Sequence, residues 1–512
     1  MISSPHFFLL FNRLMRRSIV PHHPRIWAVR SYYSRSSPRT NLHSRISPLG
    51  NPKQSVVPEL DGWAESGKRV HVPELRRIIL DLRKRRRFTH ALQVSEWMGG
   101  KGGFVLMPSD HAVRLDLIGK IHGVAAAESY FQSLSEENKT EKTYGSLLNC
   151  YVREHLIEKS LSHMQKMKDL GFASVALPYN DLMCLYTNTD QHEKVPDVLA
   201  EMKENDVPPD NFSYTICMNS YGARSDIDGM EMVLEEMECQ PHITVEWNTY
   251  ALVANIYIKA GLTDKAVTAL KKSEEKLVGN RDGEGYNHLI SHYSSLGNKE
   301  EVLRLLKLQK ASCKRLVNKD YKSILGSLMK MEEFEEAEAL LKEWEVAGNC
   351  YDLHVPNVVL NGYCQKGAVK KAEMMIEELV KMGKCPISSS YGIVAAGYAD
   401  RGKMGKAVEF MKRAFAAAPG NEGWKPKPKV VTKILDWFGE EGDVEGVEAF
   451  VGLLSTAIGM NREMYHALIR ASIKAGRDVD GILSRMKIDN IDVNGETKKI
   501  LSSRQVTEGL NG

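Results

Sequence analysis

A tyrosine recurs along this chain at an almost constant interval, and this feature constrains the fold more than any other. Successive tyrosines lie 35 or 36 residues apart at Tyr144, Tyr179, Tyr214, Tyr250, Tyr286 and Tyr321. The same phase continues, with one stretched interval of 40 residues, through Pro356, Tyr391, Val431 and Tyr465. A fixed period of this size is typical of proteins built from stacked repeats, in which each repeat buries its apolar face against the next.

Each period contains two helical patterns separated by short polar turns. Within residues 176–210, apolar side chains recur every three or four residues from Tyr179 to Tyr186, and again across residues 195–202. Two prolines then end the second pattern. The sequence therefore predicts helix, short turn, helix, short turn in every unit.

Small residues recur in phase with this plan. Turn glycines, which suit the left-handed conformation at the end of a helix, lie at Gly261, Gly297, Gly367, Gly402, Gly442 and Gly476. Alanines early in the second helix, where a small side chain allows close helix packing, lie at Ala337, Ala372 and Ala407. The pattern predicts an all-α fold, a solenoid of stacked antiparallel helix pairs with about 35 residues per repeat. Residues 71–500 would form about 12 repeats, of which the first two are degenerate.

The N-terminus differs in composition from the repeats. Residues 1–58 contain no Asp or Glu, whereas arginine and serine are frequent and apolar residues near 9–19 can form one helix face. This pattern is typical of a mitochondrial transit peptide, which we predict for residues 1–32, with cleavage after Tyr32. A retained basic arm that contacts RNA and a plastid signal are the alternatives. Residues 33–70 are interpreted as a linker and residues 501–512 as a C-terminal tail.

Charge and motifs exclude several classes of protein. Removing residues 1–32 takes away five arginines, so the formal charge of +4 becomes −1, and the mature chain is not a strongly basic polyanion binder. No phosphate-binding loop, nucleophile-elbow motif or zinc deaminase signature is present, and no two cysteines form a C-x-x-C pair. We therefore expect no enzyme activity, no metal, no cofactor and no small-molecule substrate. No apolar run is long enough to span a membrane.

The repeats resemble those of pentatricopeptide repeat proteins of the plain P type, common in plant organelles. The clearest match is the segment 356–367 (PNVVLNGYCQKG), which is followed by Lys371-Ala372-Glu373. The resemblance implies a right-handed superhelix whose concave face, formed by the first helices, holds single-stranded RNA with one base per repeat. It also implies a role in RNA processing, stability or translation, and the predicted transit peptide indicates that the mature protein acts in the mitochondrial matrix.

The resemblance further implies which residues read the bases. They are the residue after the tyrosine position, which we call the post-tyrosine residue, and the last residue of the same repeat. The pairs are Gly145 with Val175, Asn180 with Asp210, Thr215 with Glu246, Ala251 with Asp282, Asn287 with Val317, Lys322 with Asp352, Asn357 with Ile387, and Gly392 with Lys427. Asn180 with Asp210 fits a uracil-preferring pair, and Thr215 with Glu246 is nearly a purine-type pair. The remaining pairs depart from the family code, which predicts partial specificity or help from a partner.

Other interpretations remain open for these residues and for the whole chain. An Asn near a helix start also serves as a helix cap. The basic run Arg83, Lys84, Arg85, Arg86 and Arg87 is a candidate for phosphate contacts, or is a solvated turn. The alternative to RNA binding is a protein–protein adaptor, or a structural solenoid associated with the mitochondrial ribosome.

Overall fold

The structure of the protein is a computed structural model that describes residues 41–51, 54–277, 283–347, 352–417 and 424–508, the last six of these by their backbone alone. Regular structure within these ranges is entirely helical, with 27 α-helices and two short 3₁₀ helices, Glu136–Asn138 and His192–Lys194. The chain forms two compact units, residues 1–266 and 267–512. The predicted all-α class is thus confirmed.

The first unit contains thirteen helices and the start of a fourteenth. They are α1 Leu42–Ile46, α2 Val57–Glu65, α3 Val72–Lys84, α4 Phe88–Gly99, α5 Pro108–Ile121, α6 Val124–Gln132, α7 Glu141–Arg153, α8 Ile157–Asp169, α9 Ala176–Asn188, α10 Val195–Glu204, α11 Asn211–Ala223, α12 Ile227–Cys239, α13 Trp247–Lys259 and α14 Thr263–Glu275. From α3 onward they form pairs. The first helices α5, α7, α9, α11 and α13 pack against one another in that order.

The second unit repeats this arrangement. Its helices are α15 Glu284–Ser295, α16 Lys299–Ser312, α17 Asn318–Lys330, α18 Phe334–Val346, α19 His354–Gln365, α20 Val369–Lys381, α21 Ser388–Ala399, α22 Met404–Ala416, α23 Pro428–Glu441, α24 Val444–Ile458, α25 Arg462–Lys474, α26 Asp480–Ile488 and α27 Gly495–Glu508. The first helices, from α15 to α25 in alternation, again pack in series, and α27 packs on α25. Helix α27 therefore lies where a further first helix would lie, and extends into the segment interpreted as a tail.

The recurring tyrosines pack the two helices of a repeat together. Tyr179 and Tyr214 are almost completely buried, and the Tyr214 hydroxyl donates to Glu236 of the paired helix α12 at 2.8 Å. The Tyr465 hydroxyl reaches Asp489, just beyond α26, at 2.6 Å. A buried phenol needs such a partner for its hydroxyl, which explains why a tyrosine serves at this position.

The in-phase small residues take the roles that the sequence predicts. All six turn glycines have φ between 68° and 90°, a region that residues with a Cβ enter only at a cost. The side chains of Ala337, Ala372 and Ala407 are fully buried. The interval of 40 residues corresponds to a longer connection between α22 and α23, of which residues 418–423 lie outside the described ranges.

Two helices lie in the segment interpreted as a linker. Leu42 and Ile46 of α1 and Leu60 of α2 are fully buried. The segment is held to the first repeat by polar contacts, since Trp97 of α4 donates to Asp61 at 2.7 Å and the guanidinium of Arg87 donates to the Ser47 carbonyl at 2.6 Å. This stretch covers the open end of the repeat array, as a capping element does. Residues 1–32, assigned to the transit peptide, lie outside the described residues.

Three cysteines share one place in successive first helices. Cys150, Cys184 and Cys217 are fully buried, consistent with small apolar core residues. Cys350 lies outside the described residues. Among the described helices, none is long and apolar enough to cross a membrane.

Candidate nucleic-acid interface

The post-tyrosine residues lie in the first turn or two of each first helix, where successive first helices face one another. Three of them are asparagines, and each is buried: Asn180 is 1% exposed, Asn287 5% and Asn357 7%. A buried amide must find hydrogen-bond partners inside the protein. The partners differ from repeat to repeat, and they determine which donors and acceptors of each amide remain available to a base.

Asn180 lies at the centre of a closed polar cluster. Its amide nitrogen donates to the Asp210 carboxylate at 3.1 Å, and its amide oxygen accepts from the Ser213 hydroxyl at 2.7 Å. Asp210 is also the N-cap of α11, where its carboxylate accepts from the Ser213 backbone N–H at 2.8 Å. The structure therefore brings the predicted pair together, and it adds Ser213, the third residue of the next repeat.

Asn287 uses a different carboxylate from the one that the pairing rule assigns. The last residue of its repeat is Val317, half exposed and apolar. The Asn287 amide nitrogen donates instead to Asp320, three residues beyond Val317, at 2.7 Å. Gln309 of α16, fully buried, donates to the Asn287 amide oxygen at 3.1 Å and to the Gly283 carbonyl at 3.1 Å. Both ends of the Asn287 amide are thus occupied.

Asn357 keeps one end of its amide unpaired. The amide nitrogen donates to the Ser389 hydroxyl at 3.1 Å, whereas the amide oxygen is buried and has no hydrogen-bond partner. Leaving a buried acceptor unpaired costs about 1–3 kcal/mol. Among the three post-tyrosine asparagines, Asn357 is therefore the one whose amide oxygen still lacks a donor.

Lys322 and Asp352 form the second predicted pair that the structure brings together. The ammonium lies 3.3 Å from the carboxylate, and both side chains are partly exposed. Asp352 also accepts from the His354 backbone N–H at 3.0 Å. Although burial opposes the effect, these hydrogen bonds hold the pKa of Asp352 below its usual value, so the carboxylate stays charged at neutral pH.

Among the described residues, no hydrogen bond or ion pair joins Asn287 to Val317 or Asn357 to Ile387. The Thr215 hydroxyl donates within its own helix, to the Asn211 carbonyl at 2.6 Å, and Glu246 is an exposed N-cap residue of α13. Asp282 lies outside the described residues. At Gly392 the indole of Trp424 occupies the space beside the backbone, and a Cβ at this glycine would meet Trp424 at 2.8 Å.

The basic run at residues 83–87 is largely used within the protein. Arg83 pairs with buried Asp116 at 3.0 Å, Arg85 pairs with Asp81 at 2.9 Å, and Arg87 holds the N-terminal segment as described above. Lys84 and Arg86 are exposed and have no ion pair among the described residues. Three of the five candidates therefore have structural partners, which leaves Lys84 and Arg86 free to contact phosphates.

Several residues of this interface were not predicted from the sequence. Ser213, Asp320 and Ser389 belong to the repeat that follows the amide they contact, 32 or 33 residues further along the chain. The spacing of a polar residue about 33 positions after each asparagine is the signal that identifies them. Among the described residues, no cluster of three or more His, Cys, Asp or Glu side chains could hold a metal ion.

Family models of the pentatricopeptide repeat match the chain at several places. One, described as the PPR repeat family, matches residues 178–223. Another, described as the PPR repeat, matches residues 142–172, 212–240, 285–308, 320–349 and 355–383. The matches fall on helix pairs of both units.

Curated relatives extend this similarity to nearly the whole chain. A mitochondrial pentatricopeptide repeat-containing protein of Arabidopsis thaliana is 51% identical over 478 residues, covering 93% of this chain and 97% of the relative. A second mitochondrial one is 37% identical over 444 residues, covering 87% and 89%. The large ribosomal subunit protein mL101 of the same plant is 35% identical over 462 residues, covering 90% and 94%.

Among solved structures, the chain resembles the pentatricopeptide repeat protein PPR10 in complex with an 18-nucleotide psaJ RNA element. The identity is 19% and the TM-score 0.49, and the alignment covers 81% of this chain and 60% of that one.

Proposed function

Because the chain belongs to the pentatricopeptide repeat family, we propose that it binds single-stranded organellar RNA through the starts of its first helices and acts by binding rather than by catalysis. Bound RNA would be protected from nucleases or kept unfolded for a processing enzyme or a ribosome. Binding free energy alone is sufficient for either effect.

One observation carries this proposal more than any other. The contact between Asn180 and Asp210 places an amide beside a carboxylate at the two positions to which the resemblance assigns base reading. An amide can hydrogen-bond a Watson–Crick edge, and an adjacent carboxylate fixes its orientation. Because Asn180 is buried and paired with both Asp210 and Ser213, it would meet a base only when this cluster opens. Lys322 and Asp352 form the equivalent contact in the second unit.

We further propose that the protein works in mitochondria. The two relatives described first are mitochondrial, and the N-terminal composition predicts an import signal in residues 1–32. With that segment removed the formal charge is −1, so RNA affinity has to come from local placement of charge and hydrogen bonds.

A second candidate function is association with the mitochondrial ribosome, as a structural solenoid that contacts ribosomal RNA or protein. It is favoured by the similarity to mL101, a large-subunit ribosomal protein, over nearly the full length of both chains. Post-tyrosine residues without base-reading side chains, such as Gly145, Ala251 and Gly392, also suit shape recognition more than sequence recognition.

Ultraviolet cross-linking of the protein in isolated mitochondria, followed by sequencing of the attached RNA, tests the proposal. We expect a sharp footprint on one or a few messages. A footprint confined to ribosomal RNA would favour the ribosome-associated function, and the absence of cross-linked RNA would overturn RNA binding.

A double variant, Asn180→Ala with Asp210→Ala, tests whether these two residues read a base in the RNA that cross-linking identifies. We expect affinity for the identified RNA to fall about tenfold, because two base-directed groups are lost. The chain offers a matched control in Gln165 and Asp169, an exposed amide–carboxylate pair on the second helix α8 with a 2.9 Å contact. Replacing both with alanine should leave affinity unchanged. Equal effects of the two double variants would contradict the assigned role.

A further inference from the structure

The longer connection between α22 and α23 ends in Trp424-Lys425-Pro426-Lys427, and Pro428-Lys429 begin α23. Trp424 is half-buried and Pro426 is buried, whereas the three lysines are exposed. Lys427, the N-cap residue of α23, has an extended backbone with φ −66° and ψ 125°. Burial of Pro426 between two exposed lysines fixes the segment to the protein and directs the lysines to solvent.

These lysines carry positive charge that the described part of the protein does not compensate. None of the three forms an ion pair with a described carboxylate, whereas Lys433, one turn further, pairs with Asp400 at 2.7 Å. Lys427 and Lys429 also lie at the start of α23, whose first turn contains no acidic residue. Positive charge at a helix N-terminus is unfavourable because of the helix dipole. A gain in helix stability therefore does not explain why lysines occur here. A bound anion would neutralise their positive charge.

An aromatic ring lies directly beside this charge. The indole of Trp424 packs edge-to-face on Phe415, with ring centroids 5.7 Å apart, and its benzo edge lies against Gly392. Gly392 is the post-tyrosine residue of its repeat, the position that Asn357 occupies one repeat earlier. The indole thus lies where the neighbouring repeat presents its amide, with part of its surface open to solvent.

We propose that Trp424 and the lysines Lys425, Lys427 and Lys429 form a binding site for one segment of single-stranded RNA. A base stacks on the indole, and the adjoining phosphates lie against the three ammonium groups. This site rests on the RNA binding proposed above and deepens it. Since every base has a π face, stacking of this kind is tolerant of sequence, so this repeat holds RNA without reading it.

Binding of fluorescently labelled oligouridylate and oligoadenylate by the full chain, measured over a range of salt concentrations, tests the site. We expect Trp424→Ala to weaken both ligands by about tenfold, which is typical for loss of one stacked base. Trp424→Phe should retain most of the affinity, because it preserves an aromatic face. Far-ultraviolet circular dichroism and thermal melting would show that each variant is folded.

The triple variant Lys425→Gln, Lys427→Gln, Lys429→Gln tests the phosphate contacts. Its slope of log affinity against log salt should fall by about 2, as expected for the loss of three phosphate contacts to a single strand. A control of equal charge change, Lys307→Gln, Lys342→Gln, Lys412→Gln, replaces exposed lysines of second helices and should leave the slope unchanged.

The outcomes separate this site from RNA binding in general. If the unmodified chain binds neither oligonucleotide nor the cross-linked RNA, the proposed function itself fails. If it binds RNA and Trp424→Ala and the lysine triple variant bind equally well, only this site is wrong. A labelled polyglutamate peptide provides the remaining test. Stronger binding of that peptide than of RNA, lost in the lysine triple variant, would assign the segment to an acidic protein partner and overturn the proposal.

Discussion

At the scale of single residues, polar side chains between the first helices have two roles. Asn180 and Asn287 hold consecutive repeats together through buried hydrogen bonds, and the same amides lie where RNA bases are expected to bind. A buried, fully satisfied polar cluster makes the contact specific, because any shift in register leaves groups unpaired. The third residue of the following repeat, Ser213 or Asp320, completes each cluster.

Replacing Asp320 measures how much the buried hydrogen bonds between repeats stabilise the protein. Asp320→Ala removes the acceptor of the buried Asn287 amide and of the Val317 backbone N–H, so we expect a loss of about 2 kcal/mol of unfolding free energy. Urea unfolding followed by circular dichroism measures it. Asp400→Ala, which removes an exposed ion pair with Lys433, should cost less than about 1 kcal/mol. Similar losses in the two variants would contradict the buried-cluster interpretation.

Asp181 predicts a pH dependence of stability in the first unit. Burial raises the pKa of its carboxyl to about 7, the negative charge of Asp116 adds to the effect, and a hydrogen bond from Asn149 opposes it. Between about pH 4 and pH 7 the folded protein holds a proton that the unfolded chain has lost. The contribution of Asp181 to stability therefore falls as pH rises through this window, by up to about 1.4 kcal/mol per pH unit.

The variant Asp181→Asn isolates this effect. Its unfolding free energy relative to that of the unmodified protein should increase as pH rises from about 4 to about 7 and then level off. Asp206→Asn is a suitable control, because Asp206 is exposed and its positive φ of 55° is tolerated by asparagine. Parallel pH profiles for Asp181→Asn and the control would show that Asp181 is ionised in the folded protein at all these pH values.

At the scale of elements, the N-terminal helices α1 and α2 are bound to the repeats by a few specific contacts. The guanidinium of Arg87 donates to the carbonyls of Ser47 and Leu49, and the Gln93 side chain accepts from the Val56 backbone N–H at 3.0 Å. The positive φ of Arg86 turns the chain so that Arg87 faces this segment. The element covers apolar surface that the first repeat would otherwise expose.

Replacing Arg87 should release this element without unfolding the repeats. We expect Arg87→Ala to make residues 41–66 sensitive to limited proteolysis, because the carbonyls of Ser47 and Leu49 lose their donor. A control variant, Lys84→Ala, removes an equal charge from an exposed residue at the end of α3 and should leave the cleavage pattern unchanged. Protection of residues 41–66 in the Arg87 variant would show that apolar packing alone holds the element.

At the scale of the whole molecule, each unit is an array in which the main contacts join described helices one or two places apart along the chain. Stability in such an array is approximately a sum of local terms. A defect in one repeat should therefore raise hydrogen exchange nearby and leave distant repeats protected.

Phe450, fully buried in α24, is suited to test this locality. Phe450→Ala should cost about 3–5 kcal/mol locally, since it leaves a cavity. Hydrogen exchange followed by mass spectrometry should show faster exchange in α23, α24 and α25, and unchanged exchange in α7 and α9. A uniform increase along the chain would mean that it unfolds as one cooperative body.

The repeat period was sufficient to predict the helix pairs, because Tyr179 and its counterparts, the turn glycines and the small alanines each have one structural role. It could not predict α1 and α2, whose contacts with Arg87 and Trp97 follow no period. It also could not predict that Asp320 would replace Val317 beside Asn287. The family pairing rule assigns the partner of Asn287 to Val317, whereas the folded geometry uses the carboxylate three residues later, which only the spacing of about 33 residues after the asparagine indicates in the sequence.

The shared use of Asn180 has a consequence for protein engineering and for evolution. A mutation of Asn180 that changes the base preference of this repeat also changes its packing against the next repeat, because Ser213 hydrogen-bonds to the same amide. Recoding the repeat thus requires paired substitutions, one in each of two adjacent repeats. At Gly392, by contrast, a new side chain would collide with the indole of Trp424, so introducing a base-reading residue there would require a compensating change at Trp424.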